Sequence, residues 1–409
     1  MLVELDITMT LDGADVPCGR LFINVRRGIE SASFTYDPTY LARTDAFAIS
    51  PDLPLGQAAI HTSGGRLFGA FEDCMPDRWG RNLMLRAERN AARDEGRTER
   101  SLYAGDYLVG VSDIARQGAL RVWLNGRAVA SDSGVPREVA IPHLLSQADL
   151  VAKDMDADVR DLLQAGSLLG GARPKASVCG SGGELCIAKF PKPDETTLDD
   201  TCAWEHVALV LAGRCGIRVP PTRLVRVGGR AVLLLARFDR DGSNRIAYLS
   251  GMSAIQGSDG GDYSYLELVD FLESEGASPA ADIRQLWSRL LFSCAIGNTD
   301  DHMRNHGFLR TTWGWTLSPA FDINPTPGAG EKYLSCAMDF DERFAHPTAA
   351  LGVCDLYRLG RDDAREIAHG MARELGTWRK AAVRDGISKA SIARMESCFE
   401  AGVERLAAL

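Results

Sequence analysis

The sequence contains no Gly-Lys-Ser or Gly-Lys-Thr, so a Walker-type phosphate loop is excluded. Its ten cysteines form no Cys-x-x-Cys pair, which leaves reduced thiols, with Cys186, Cys215 and Cys294 serving as small core residues. Reduced thiols fit a cytosolic compartment. Long apolar runs are lacking too. Ala231 to Ala236 is among the longest, far short of the roughly 20 residues of a membrane span. The N-terminus opens on a strand pattern without a basic stretch and apolar segment, so no secretory signal is expected. A cytoplasmic protein with no membrane contact is the expectation. Positive charge is in deficit, with 46 Lys and Arg against 55 Asp and Glu and a net charge of −9. That balance argues against gripping nucleic acid with the whole surface, leaving a local basic patch or DNA contact through a partner.

What is present describes a globular chain. Hydrophobic residues make up 45% and charged residues 25% of 409 positions, a length that suggests two or three domains. Val3, Leu5, Ile7 and Met9 alternate with Glu4, Asp6 and Thr8, the period-two pattern of a half-buried strand. Asp12-Gly13 turns the chain into a second strand from Arg20 to Val25, and short strands are expected around Ser33 to Tyr36 and Arg66 to Phe71. Pro76-Asp77 starts a helix through Arg93, with Asp77 placed to cap free N–H groups. The run Pro76-Asp77-Arg78-Trp79-Gly80-Arg81 reads more readily as a buried corner than as a catalytic element. Residues 1–125 thus form a small α+β unit without evident chemistry.

Beyond a polar link at Ser131 to Pro136, Ile141 to Leu163 carries helical spacing. Gly166 to Lys175 is then a loop rich in small residues, in which Gly170, Gly171 and Ala172 can bring backbone N–H groups close to phosphate oxygens. A bland loop fits that composition as well. Strands at Ala176 to Cys179 and Glu184 to Phe190 flank the hairpin signal Gly180-Ser181-Gly182-Gly183. Leu185, Ile187 and Lys189 share one face, an unusual place for a solvated lysine. A helix with Trp204, Val207, Ala208 and Leu211 on its apolar face carries Glu205, 16 residues after Lys189. A strand-borne lysine and a helix glutamate fit the ion pair that steadies nucleotide phosphates; the bland alternative is a snorkelling lysine and a solvated glutamate. A second hairpin turns at Gly228-Gly229. After Phe238 helices dominate, at Tyr263 to Glu273, Ile283 to Ile296, Leu356 to Glu374 and Lys389 to Leu406.

The chemistry concentrates in Gly297 to His306. Asp300 lies five residues before Asn305, the Asp-to-Asn spacing of a protein-kinase catalytic loop, and Asp322 follows a hairpin where such enzymes carry a metal-binding Asp. Phosphoryl transfer needs a carboxylate to orient a hydroxyl and accept its proton, and oxygen ligands for Mg²⁺. Asp301 competes for the first role, but only Asp300 has the spacing. His302 and His306 lie four apart, yet their loop context and the missing Glu-x-x-His pattern disfavour a zinc pair. His302 is expected to hold the loop by hydrogen bonds. Arg237-Phe238-Asp239-Arg240 falls where an inter-lobe hinge is expected.

Together, Asn298-x-Asp300-x-His302-x-x-Asn305, Ser318-Pro319-Ala320-Phe321-Asp322, Arg237-Phe238-Asp239-Arg240 and Gly170-Gly171-Ala172-Arg173-Pro174-Lys175 resemble the HipA-type serine/threonine kinase toxins. Leu53-Pro54-Leu55 and the run from Pro76 to Arg81 resemble the additional N-terminal domain of that family. The resemblance spans nearly the whole chain. It implies an α+β, two-lobed protein-kinase-like fold with a small N-terminal α+β subdomain (1–125), an N-lobe-like segment (126–245) and a helical C-terminal lobe (246–409). It implies use of ATP and Mg²⁺, with Asp300 catalytic, Asn305 and Asp322 on the metal, and Gly170, Gly171, Ala172, Lys189, Glu205 and His302 around the nucleotide. It also implies a protein substrate such as an aminoacyl-tRNA synthetase, growth arrest and persistence, a HipB-like helix-turn-helix antitoxin, and DNA contact only through that antitoxin. The place of the family's regulatory serine holds Leu168, with Ser167 one position earlier as a candidate for autophosphorylation. The alternatives are a small-molecule kinase and a non-catalytic antitoxin-binding module.

Overall fold

The computed structural model describes residues 2–62, 65–130, 134–155, 157, 159–165 and 173–409. Gly170, Gly171, Ala172 and Ser167 lie outside the described residues. The chain forms two compact units, Met1–Pro193 with Arg237–Leu249, and Asp194–Ala236 with Ser250–Leu409.

The first unit is built on an antiparallel sheet with strands in the order Ile60–His61, Ile29–Tyr36, Ala14–Arg26, Leu2–Leu11, Leu120–Leu124 and Arg127–Ala128. The alternation read from the sequence holds, with Leu5, Ile7 and Met9 buried. Asp12 and Gly13 both take positive φ (48° and 79°), the two-residue turn whose twist matches paired strands. The strand expected at Arg66 to Phe71 is instead a helical turn, Gly69–Glu72. A turn of period three drives Phe68 and Phe71 inward together, with Phe71 5.5 Å from Phe34, and Asp52 Oδ2 accepts from the Gly69 N–H at 2.9 Å. The helix Arg78–Asp94 starts where predicted, and Asp77 caps it.

The helix expected from Ile141 to Leu163 is two, Ile141–Ala152 and Arg160–Gln164. Asp154 at φ 52° breaks it, since a left-handed residue cannot continue an α-helix. Lys175–Cys179 and Leu185–Lys189 pair antiparallel, with Cys179 opposite Leu185 and Lys175 opposite Lys189. The arginines of Arg237-Phe238-Asp239-Arg240 grip carbonyls of the loop at 112–118. Arg237 Nη1 donates to Ala115 O at 2.5 Å, and Arg240 Nη2 donates to Arg116 O at 2.5 Å. Asp239 is buried among them, accepting from Arg237 Nε (2.7 Å), Arg240 Nη1 (2.8 Å) and Gly118 N (2.7 Å). Burial alone would raise its pKa, but the two guanidiniums outweigh that and hold it below the ordinary carboxylate range.

In the second unit a hairpin, Thr222–Val227 with Arg230–Ala236, turns at Gly228 and Gly229, both at positive φ. Helices Thr201–Arg214, Tyr265–Glu275, Pro279–Ile296, Arg361–Leu375, Trp378–Arg384 and Lys389–Ala407 dominate the rest, with a second hairpin of Gly307–Thr311 and Gly314–Leu317 between them. The helix expected from Leu356 starts only at Arg361, because Arg358 takes φ 58° after the 3₁₀ turn Cys354–Tyr357. Trp378 stacks on Phe399 at 4.9 Å, and Trp204 packs on the same ring at 5.7 Å while donating Nε1 to Ser391 Oγ at 2.9 Å. Among the described residues no helix is long and apolar enough to cross a membrane.

Candidate active site

Helix Pro279–Ile296 delivers the loop that the sequence singled out. It ends because Gly297 takes φ 64°, and a side chain there would collide with Lys332. Lys332 Nζ donates to Thr326 O (2.6 Å) and Gly328 O (2.8 Å), so the segment after Asp322 is tied beside the helix end. Asn298 is buried and joins both loops: its Nδ2 donates to Ser293 Oγ (3.2 Å), and its Oδ1 accepts from Asn324 N (3.2 Å). Asn324 Nδ2 in turn donates to Asp322 Oδ1 at 3.3 Å. These bonds through Asn298 and Asn324 link Asp322, itself at φ 59°, to the end of the helix that carries the Asp300 loop.

The two adjacent aspartates differ sharply. Asp300 is exposed, and its backbone carbonyl accepts from Asn305 Nδ2 at 2.8 Å and from His302 N at 3.2 Å. Asp301 is buried; Oδ2 accepts from Tyr265 OH (2.6 Å) and Ser293 Oγ (3.1 Å), and Oδ1 lies 3.1 Å from His306 Nε2. Burial would raise the Asp301 pKa, yet His306 and the two hydroxyls bring it below the ordinary value. Burial, then Asp301, push the Tyr265 phenol well above its usual range. Asp301 is therefore a structural anchor and Asp300 the available carboxylate.

The bond from Asn305 Nδ2 also fixes which end of that buried amide is oxygen. A carbonyl oxygen at Asn305 and a carboxylate at Asp322 are the hard donors Mg²⁺ takes, since it keeps several waters and needs only one or two protein ligands. His306 Nε2 faces Asp301 Oδ1 at 3.1 Å, which places that imidazole nitrogen against a buried carboxylate. His302 holds the loop through its backbone, its N–H donating to Asp300 O at 3.2 Å and its carbonyl accepting from Asn305 N at 2.8 Å, while its buried ring Nδ1 lacks a partner among the described residues.

In the first unit, Lys189 is 7% exposed, so the snorkelling alternative fails. In the second unit, Glu205 is 0% exposed, so it is not a solvated helix glutamate. Sequence reasoning missed the supports. Arg289, buried in helix Pro279–Ile296, donates to Ser318 O and so holds the strand end before Asp322; burial lowers its pKa to about 9. A charged residue amid Trp287, Leu290 and Leu291 was the available signal. Ser335 N and Oγ both donate to Thr299 O, at 3.0 and 2.8 Å, and no local pattern marks that pairing.

An exposed Asp300 on a loop pinned by Asn305, with Asp322 on a second loop, stands on the α+β scaffold of a kinase-like protein. The HipA-like C-terminal domain matches residues 167–379 and the HipA N-terminal domain matches residues 14–111. The chain belongs to the HipA family of kinase toxins. The fold is similar to HipA of Shewanella oneidensis MR-1, solved with HipB and its operator DNA, at a TM-score of 0.72 and 16% identity over 98% of this chain and 96% of that one. In sequence it is 27% identical over 194 residues to Y4mE of Sinorhizobium fredii, a kinase by provisional designation, covering 43% of this chain and 46% of that protein. A Haemophilus influenzae protein with the same designation is 27% identical over 142 residues, 30% of this chain and 41% of its own length. The matched stretch thus spans less than half of each of these two relatives.

Proposed function

We propose that the chain is an ATP- and Mg²⁺-dependent protein serine/threonine kinase acting as the toxin of a toxin–antitoxin pair. The observation that carries this reading is the division of labour at 300 and 301. Asp301 is consumed by Tyr265, Ser293 and His306, while Asp300 is exposed on a loop pinned by Asn305. Asp300 then orients an acceptor hydroxyl and takes its proton as the new oxygen–phosphorus bond forms and the bond from the γ-phosphorus to the bridging oxygen breaks, releasing ADP. Asn305 and Asp322 would hold Mg²⁺, which supplies charge neutralisation on the transferred phosphoryl group. Lys189 would carry the phosphate-binding ammonium, and Gly170, Gly171 and Ala172 would offer backbone N–H groups to the phosphates; the burial of Lys189 supports its role, and the burial of Glu205 fits a carboxylate held for nucleotide binding and not one facing solvent. The orphaned His302 Nδ1 suits a group facing nucleotide or acceptor.

The functional division follows 1–125, 126–245 and 246–409, with catalysis in the last two. The antitoxin is a HipB-like helix-turn-helix protein through which DNA is reached, a reading supported by the HipB and operator DNA in the Shewanella structure. The acceptor is a translation component such as an aminoacyl-tRNA synthetase, and its modification arrests growth. Ser167 is a candidate for autophosphorylation. All ten cysteines are free, which supports a reducing cytoplasm. Expression of the Asp300→Ala variant tests the reading: growth arrest should disappear, and arrest equal to the parent's would overturn it.

A further inference from the structure

We propose that Asp77, from the N-terminal family domain, is a positioning residue for the nucleotide-phosphate lysine Lys189, an inference that rests on the phosphate role given to Lys189 above. Both oxygens of Asp77 are committed. Oδ1 accepts from Gly80 N at 2.8 Å and caps helix Arg78–Asp94, and Oδ2 accepts from Lys175 Nζ at 2.7 Å. The Asp77 and Lys175 side chains are 4% and 3% exposed. Capping fixes the carboxylate, so this ion pair has one geometry instead of the loose ensemble of a surface pair. Trp79, two residues on and buried, donates Nε1 to Lys175 O at 3.2 Å. Arg81 Nε closes the corner on Pro76 O at 3.1 Å. The run from Pro76 to Arg81 therefore holds Lys175 by both its side chain and its backbone.

Lys175 sits directly opposite Lys189 in the antiparallel ladder, and Phe190 N donates to Pro174 O at 2.9 Å just beyond. Residues directly opposite point to the same face with Cβ atoms about 5 Å apart, and like charges so placed repel. Two buried lysines in this register would drive each other's chains apart. Asp77 holds the Lys175 ammonium and so relieves that repulsion on the Lys189 side chain. Stability alone is a weak reason for such a pair, because apolar residues of similar volume often replace a buried ion pair without loss. Residues of both matched domains meet here, with Asp77 in the N-terminal match and Lys175 and Lys189 in the C-terminal one.

The test uses the full chain, with Mg·ATP binding measured by titration calorimetry, steady-state constants for ATP and for the protein acceptor, and melting without nucleotide. Asp77→Asn should weaken ATP binding and raise its KM about tenfold with kcat and the acceptor KM little changed, the effect expected of a misplaced phosphate contact. Asp77→Glu, which keeps the charge, should recover most of the affinity. Should Asp77→Asn not fold, Trp79→Phe removes only the donor to Lys175 O and should cost about threefold in ATP affinity, the worth of one neutral hydrogen bond. A folded Asp77→Asn protein that binds ATP as the parent does, or more tightly, overturns the proposal. Lys189→Met separates the two claims. Loss of ATP binding in that variant upholds the phosphate-lysine reading whatever Asp77→Asn does, and retained binding overturns that reading and this proposal together.

Discussion

Asp301 shows how a neighbour of the proposed catalytic residue can be conspicuous in sequence and yet structural in role. Its carboxylate accepts from Tyr265 and Ser293 and faces His306, all from within the second unit. Removing one partner of such a buried constellation costs about 3–5 kcal/mol, so Asp301→Ala should lower unfolding stability by that order in urea melts, whereas Asp300→Ala should leave stability near the parent's. Acid should act in the same direction. A carboxylate whose folded pKa is depressed contributes stability that is fully present above its unfolded value, about 3.9, and is lost as pH falls through the lower folded value. Asp301 and Asp239 are both depressed, so the urea midpoint should fall as pH drops below about 4. Asp301→Asn should remove its share of that slope. The five-residue spacing to Asn305 singles out Asp300 in the sequence. The burial of Asp301 was not legible there, because its partners Tyr265 and Ser293 lie 36 and 8 residues away in sequence.

At the level of elements, punctuation was the readable part. Asp77, Gly297 and the Gly228-Gly229 pair mark a helix start, a helix end and a turn, the first by a side-chain cap three residues away and the others by positive φ, all within a few residues in sequence. Gly297→Ala should therefore be costly: a left-handed φ costs an L-residue about 1–2 kcal/mol, and the added methyl meets Lys332. A drop in melting temperature, with weakened activity from displacement of the loop at 298–305, is the expected result. Elements set by distant packing were misread. Arg66 to Phe71 has strand composition, but the buried Phe34 and the Asp52 cap favour a helical turn. Periodicity from Ile141 to Leu163 continues through Asp154, whose left-handed φ ends the helix. Arg289 was overlooked because its carbonyl partner, Ser318, belongs to another element.

For the whole molecule, the family motifs reach across the chain, from the corner at Pro76 to Arg81 to the loop at Ser318 to Asp322. Run by run, the sequence could be read as structural or functional; the corner looked purely structural until Lys175 was seen beside Asp77. Composition was a sound guide to the thiols. Burial raises the pKa of Cys74, Cys215 and Cys336 to about 12, so these three should react with iodoacetamide at neutral pH only after denaturation, as peptide mapping would show. The central claim, that a protein acceptor receives phosphate through Asp300, is tested most directly by incubating parent and Asp300→Ala proteins with γ-labelled ATP and cell lysate. A discrete labelled protein with the parent and none with the variant, at equal melting temperature, is the expected result; equal labelling by both would rule out transfer through Asp300.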